Sequence, residues 1–377
     1  MERRLKTMLT RFEVSGFRAF SNPLVFDLAS TSNYNFCTDS ISNDIVSRGL
    51  IYGKNGSGKS SLGFALFDIT IHLTTNKSLD AKLLSGNYLN LDTANSKLAE
   101  FSYTFKFNND VVVYSYGKRN PFDLVYEKLT INKNKAIDID YRNLDKKYIN
   151  LEGIKSLDFS KIVDNHVSII KYIFANSVNG ANTTITDLVN FANGMLWFRS
   201  LNLGNQYNGL TNGSRTLDEI IITANKLKNF EEFLHENGIK EKLSSEVING
   251  RPTIMCDFKC GRTPLTSIAS SGTISLWLYY SWMLNLDNVS FLFIDEFDAF
   301  YHYESAALVY KSIKKSKCLQ AFVTTHDISL MNNELTRPDC CFLMCDGRIK
   351  ALKDCTDKEI REGHNLEKMY RNGAFAC

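Results

Sequence analysis

The chain has 377 residues, 44% of them hydrophobic and 23% charged, with 44 Lys plus Arg against 41 Asp plus Glu. A chain of that length divides into two or three domains and buries a core that needs no disulfide or metal staple. The near-average composition excludes a collagenous, purely coiled-coil or wholly disordered protein, and a net charge of only +3 is far below the usual charge of a dedicated nucleic-acid coat while leaving room for a local basic patch.

In chain order, residues 11–20 open with a short alternating strand, and a second strand follows Pro23 at 24–28. Residues 45–52 read as a third strand running straight into a glycine-rich turn, and 60–73 then carry helical periodicity. From 100 to 131 the apolar positions alternate (Phe101, Tyr103, Phe105, Phe107, then Val111 and Val113), a β-meander turning at Asn108-Asn109-Asp110. Residues 155–250 read as mostly helical, with a capping start at Thr216-Leu217-Asp218-Glu219. Strand, helix and strand then alternate at 289–294, 305–315 and 319–324, with one more strand at 340–344. Lys311, Lys314, Lys315 and Lys317 cluster on that last helix and read as a solvated face.

No secretory or membrane segment is legible. Met1 to Lys6 is charged with no apolar run behind it, and Met8 is an alternative start. The most apolar window, 276–284, is broken by Ser281 and is about half the length of a bilayer helix. The nine cysteines are expected as reduced thiols in a cytoplasmic protein. Cys256-x-x-x-Cys260 and Cys340-Cys341-x-x-x-Cys345 lack zinc spacing and read as small residues on strands.

Gly53-Lys54-Asn55-Gly56-Ser57-Gly58-Lys59-Ser60 matches the phosphate-loop pattern G-x-x-x-x-G-K-[ST] between an apolar strand and a helix, the context that pattern requires. Glycines let backbone N–H groups converge on phosphates, and the following helix offers its positive N-terminus. Lys59 is expected on the β- and γ-phosphates and Ser60 on Mg²⁺, with Ser61 beside it in the cofactor site. The apolar run Phe291-Leu292-Phe293-Ile294 ends in Asp295-Glu296. An acid at the end of a parallel strand lies beside the phosphate loop, so Asp295 is expected on the metal and Glu296 on the attacking water. Lys59 and Asp295 are 236 residues apart, too far for a compact Ras-like or AAA+ arrangement. One nucleotide site is therefore split across both chain ends.

With these motifs the chain resembles the ABC-type ATPase heads of the SMC/RecF/OLD kind. Phe17-Arg18-Ala19-Phe20 is similar to the start of those heads, where the turn approaches the nucleotide. Ala269-Ser270-Ser271-Gly272-Thr273 resembles their signature motif, which meets the γ-phosphate held by an opposite subunit. Asp298 in Glu296-Phe297-Asp298 resembles the D-loop at a dimer seam, and His326 in Thr324-Thr325-His326-Asp327 resembles the switch histidine. The resemblance implies an α/β fold, a P-loop ATPase head with an antiparallel β-lobe and a helical insertion. Its expected parts are a first lobe over 1–150, a mostly helical insertion over 151–264 and a second lobe over 265–377. It implies catalytic roles for Lys59, Glu296 and His326. It implies cofactor contacts from Arg18, the phosphate loop, Ser270, Ser271, Gly272 and Asp298. The implied cofactors are ATP and Mg²⁺. One departure stands out: a Q-loop glutamine is expected in the β-lobe after the phosphate loop, and the only glutamines are Gln206 and Gln320.

The C-terminal run 362–375 is similar to the tails of standalone prokaryotic ATPases of this group. Several belong to antiviral modules, including AriA of PARIS and PtuA of Septu. The resemblance implies a homodimer or higher oligomer closed through its ATP sites, acting as sensor or scaffold for a partner nuclease or toxin, with no membrane role. A RecF-like DNA-repair ATPase is the alternative. It predicts salt-dependent DNA binding, so nucleic acid stays open as a partner. A built-in TOPRIM nuclease would use Asp138-Ile139-Asp140 for two metals. A purely structural role leaves six motif pieces without a purpose.

Overall fold

The computed structural model describes residues 7–74, 87–92, 97–152, 154, 157, 167–177, 182–198, 207–209, 215–299 and 301–376. Gln206, the start at Met1 and part of the middle stretch lie outside the described residues.

The chain opens with β1 (Thr7–Ser15) and β2 (Leu24–Asp27), followed by β3 (Ile41–Ser42), β4 (Ile45–Val46) and β5 (Arg48–Tyr52). Strand 45–52 breaks at Ser47, whose N–H and hydroxyl both donate to the Ser40 carbonyl. After α1 (Lys59–Leu73) come β6 (Ala99–Phe107), β7 (Asp110–Asn120), β8 (Asp123–Ile131), β9 (Asn134–Asp140) and β10 (Tyr148–Ile149). These form a seven-stranded antiparallel sheet in the order β10-β9-β8-β7-β6-β1-β2. Its alternation is the one in the sequence: Phe101, Tyr103, Phe105 and Phe107 all point inward, and the Tyr103 hydroxyl donates to the Ala65 carbonyl of α1 at 2.9 Å.

The middle stretch holds α2 (Ile169–Asn176), α3 (Thr183–Asn193), α4 (Leu217–Thr223) and α5 (Leu227–Glu236), and α4 starts with the capping box expected at Thr216 and Glu219. It differs from a mostly helical insertion because it also supplies strands. These are β11 (Met195–Phe198), β12 (Tyr207–Gly209), β13 (Lys242–Ile248), β14 (Arg251–Phe258) and β15 (Gly261–Pro264). A four-residue apolar run such as β11 has no periodicity to separate strand from helix. The β13–β14 turn, by contrast, is an Asn249-Gly250 pair with φ of 51° and 76°, a hairpin signal present in the sequence.

The last third contains α6 (Leu265–Ile268), α7 (Ser271–Met283), β16 (Phe291–Ile294), α8 (Tyr303–Lys315), β17 (Gln320–Thr325), β18 (Cys341–Cys345), β19 (Arg348–Ala351) and α9 (Leu366–Arg371). The central sheet runs β12-β11-β16-β17-β5-β18-β19 and is parallel from β11 to β18. Parallel strands are covered on both faces, and here alternate residues enter two cores. Ile51, Phe293 and Phe322 pack toward α1 and the antiparallel sheet, while Leu50, Ile294 and Val323 pack toward α7 and α8. The fold is therefore α/β, a P-loop core carrying an antiparallel lobe.

Gln320 has no exposure and ties the sheets, donating to the Leu9 and Val46 carbonyls at 2.9 and 3.1 Å and accepting from the Leu9 N–H at 2.8 Å. Seven described cysteines are free thiols. Cys345 is disulfide-bonded, which corrects the expectation of reduced thiols throughout. Pairing depends on approach in space, which spacing does not carry. Among the described residues no helix is long and apolar enough to cross a membrane.

Candidate functional site

The buried strand β5 delivers the chain to Gly53 at the edge of the sheet. A Cβ on Gly53 would lie 2.5 Å from Ser57 Oγ and 2.9 Å from the Met344 carbonyl oxygen, so no larger residue fits. Gly56 and Gly58 adopt φ of 80° and 104°, conformations glycine reaches without steric cost. The loop folds over Lys59, which is 6% exposed and donates to the Gly53 and Lys54 carbonyls at 2.6 and 3.2 Å. Burial lowers the Lys59 pKa, and the carboxylates of Asp295, Glu296 and Asp298 oppose that shift. Asn55 is exposed on the loop, and Ser60 and Ser61 are half-buried in the first turn of α1. No side chain caps that helix, which leaves its first N–H groups to an anion. Ser57 Oγ is buried with no protein partner, an orphan that a phosphate oxygen would satisfy.

Strands β16, β17 and β5 lie side by side, with Ile294 opposite Val323 and Thr325 opposite Tyr52. Their next residues leave at one edge, where crevices of parallel sheets bind ligands. Asp295 is 1% exposed and accepts a hydrogen bond from Thr324 Oγ1 at 2.5 Å. Burial raises its pKa, and the nearby Ser60 and Thr324 hydroxyls pull it back. The same Thr324 oxygen accepts from the Glu296 N–H at 2.8 Å. Glu296 is held at φ 48°, a left-handed conformation that costs about 1–3 kcal/mol for a residue with a side chain.

Thr325 repeats this device one residue on. Its hydroxyl donates to Asp298 Oδ2 at 2.6 Å and accepts from the Asp327 N–H at 2.9 Å. Burial raises the Asp298 pKa, while the Thr325 hydroxyl and nearby His326 lower it. His326 itself is exposed at the end of β17. Neither threonine was singled out by the sequence. Their role depends on cross-strand register, and the only signal is a hydroxyl pair directly before a histidine.

The turn after β1 reaches the phosphate loop from the antiparallel lobe. The Cβ position of Gly58 is 3.4 Å from Phe20 and 3.8 Å from Ala19. Arg18 sits at φ 45°, its guanidinium carbon 3.9 Å from the centroid of the Phe64 ring on α1. Ser270 caps α7, its Oγ accepting from the Thr273 N–H at 3.2 Å. Ser270 and Ser271 are exposed and Gly272 half-buried. Among the described residues no hydrogen bond or ion pair joins these three to the phosphate loop of the same chain.

Neither the described glutamine nor the Asp-x-Asp pattern joins the site. Gln320 is the tie between the sheets, and Gln206 lies outside the described residues. Asp138 pairs with Lys135 at 3.0 Å within β9, and Asp140 pairs with Arg142 in the turn after it at 2.7 Å. Among the described residues no group of three or more His, Cys, Asp or Glu could hold a metal, and Asp138 and Asp140 belong to no such group.

Residues 261–332, which span the Ser270 cap, Asp295, Glu296 and His326, match the family model described as an AAA domain, putative AbiEii toxin, Type IV TA system. No curated protein matches the chain. Among solved structures, the Smc head of Pyrococcus furiosus bound to the C-terminal domain of ScpA is 14% identical, with TM-score 0.45, covering 91% of this chain and 95% of that one. The Thermotoga maritima SMC head is 13% identical, with TM-score 0.40, covering 91% and 97%. The Pyrococcus yayanosii Smc head with coiled coil and joint is 12% identical, with TM-score 0.46, covering 92% and 97%.

Proposed function

We propose that this protein is a Mg²⁺-dependent ATPase. The observation that carries the reading is the parallel pairing of β16, β17 and β5, which brings Asp295 and Glu296 to the same sheet edge as the phosphate loop across most of the chain. The orphan Ser57 hydroxyl, the uncapped α1 N-terminus and the glycine cradle fit a triphosphate. Ser60 and Asp295 would hold Mg²⁺, which keeps most of its shell for water and phosphate oxygens. Held there, the ion would supply charge neutralisation on the phosphate oxygens. Lys59 neutralises the β- and γ-phosphates. Glu296, at the strained end of β16, accepts the proton of the attacking water. His326 holds the γ-phosphate side of the crevice.

In our reading the active form is a homodimer or higher oligomer in the cytoplasm. Ser270 and Ser271 are exposed, Gly272 is half-buried, and among the described residues none of the three hydrogen-bonds to its own phosphate loop, as expected of residues serving a second copy. The toxin and toxin–antitoxin wording of the matching family supports the finer reading of a sensor or regulatory scaffold for a partner nuclease or toxin in antiviral defence. Mixing subunits tests the shared site. Lys59→Ala and Ser270→Arg are each expected to be inactive alone, and random pairing in a two-fold dimer should return about a quarter of wild-type turnover. No recovery on mixing sinks the shared site.

A further inference from the structure

A buried ionic cluster lies beneath this site and plays no part in the chemistry above. Asp68, on the same helix as Lys59 and Ser60, and Lys118 on β7 are both fully buried, 2.6 Å apart. Asp68 accepts two further hydrogen bonds, from Tyr116 at 2.9 Å and Tyr88 at 2.8 Å. A buried ion pair is weak evidence for net stability, because desolvation offsets the attraction, and its best-attested use is to fix one geometry among several. Tyr88 shows which geometry. Its carbonyl accepts from the Arg18 N–H at 3.2 Å, and its ring meets Phe17 edge-on at 5.0 Å. The Arg18 turn is thus tied to α1 twice, through its guanidinium over Phe64 and through Tyr88 to Asp68. Phe64 lies between Lys59 and Asp68 on that helix.

We propose that Asp68 is a positioning residue of the nucleotide site, holding Tyr88 and so the Arg18 turn against α1 to bring Arg18 to the phosphates of bound nucleotide. The inference rests on the ATPase reading. Asp68 touches no substrate and acts only through Tyr88 and Arg18. Removing one charge of a fully buried pair endangers folding, so the mildest variant is Tyr88→Phe, which deletes one hydroxyl and keeps the ring on Phe17. Asp68→Asn with Lys118→Met removes both charges together.

The test is a double-mutant cycle on the full chain, reading the dissociation constant of a fluorescent ATP analogue with wild-type and Arg18→Ala backgrounds side by side. Each variant is expected to weaken binding about fivefold in the wild-type background and less than about twofold in Arg18→Ala, since the arm it positions is gone. Equal losses in both backgrounds, or no loss in the wild type, overturn the positioning role. A wild-type protein that binds no ATP overturns the ATPase reading and this inference with it. Binding with an additive cycle overturns this inference alone.

Discussion

Thr324 shows how much of the site depends on one hydroxyl. It donates to Asp295 and accepts from the Glu296 N–H, so it sets both the carboxylate we propose for the metal and the strained backbone of the residue we propose to activate water. Thr324→Val keeps shape and β propensity while removing both contacts. It is expected to lower kcat about 10- to 100-fold with a much smaller change in ATP affinity, since ground-state binding stays with the phosphate loop. Steady-state kinetics with a parallel binding titration checks the split. Asp218 behaves differently. Burial pushes its carboxyl up to about 6 from an ordinary 3.8, and its Oδ1 is buried without a partner. A folded-state pKa raised in this way stabilises the protein below about 3.8, and that stability is lost as pH rises to about 6. Asp218→Asn should flatten this stretch of the stability–pH profile and raise the melting temperature at pH 7. An unchanged slope between pH 4 and 6 contradicts the assignment. Lys59 and Asp295 were legible because each closes a local pattern. The two threonines were not, because nothing local to Thr324 says that it faces Glu296.

At the scale of elements, Arg48 shows how β5 is joined to its neighbours. Its guanidinium, 6% exposed and with no ion pair among the described residues, donates to the carbonyls of Ser47, Ile313, Ser316, Cys318 and Leu319. Three of these belong to the last turn of α8 and the residues just past it, where carbonyls lack helical donors and a cation also meets the negative helix end. Arg48→Met fills much of the space and leaves these acceptors dry. It should cost about 3 kcal/mol, read as a lower urea midpoint with unchanged slope. A loss below about 0.5 kcal/mol would contradict the capping role. The antiparallel lobe was readable because alternation over strands of nine and eleven residues has no competing explanation. Strand β11 was not. Its four apolar residues become a strand only by pairing with β16, where Met195 lies opposite Phe291.

For the whole molecule, length suggests domains in series, and motif spacing replaces that picture with one site built from both ends. The parallel order of β16, β17 and β5 is what makes this work, bringing Asp295, His326 and the phosphate loop to the same edge. The split was legible from the phosphate loop, the Asp295-Glu296 pair and their separation. How the intervening chain adds β11 and β12 to the same sheet was not, since those contacts are long-range and short. The central claim, that this crevice hydrolyses Mg²⁺-ATP through Glu296, is tested most directly by Glu296→Gln, which keeps the shape and removes the base. The account predicts that the wild type turns ATP over only with Mg²⁺, and that the variant binds ATP as tightly while turnover falls at least about 100-fold. A variant that hydrolyses ATP at the wild-type rate, or a wild type that neither binds nor hydrolyses it, would contradict the account.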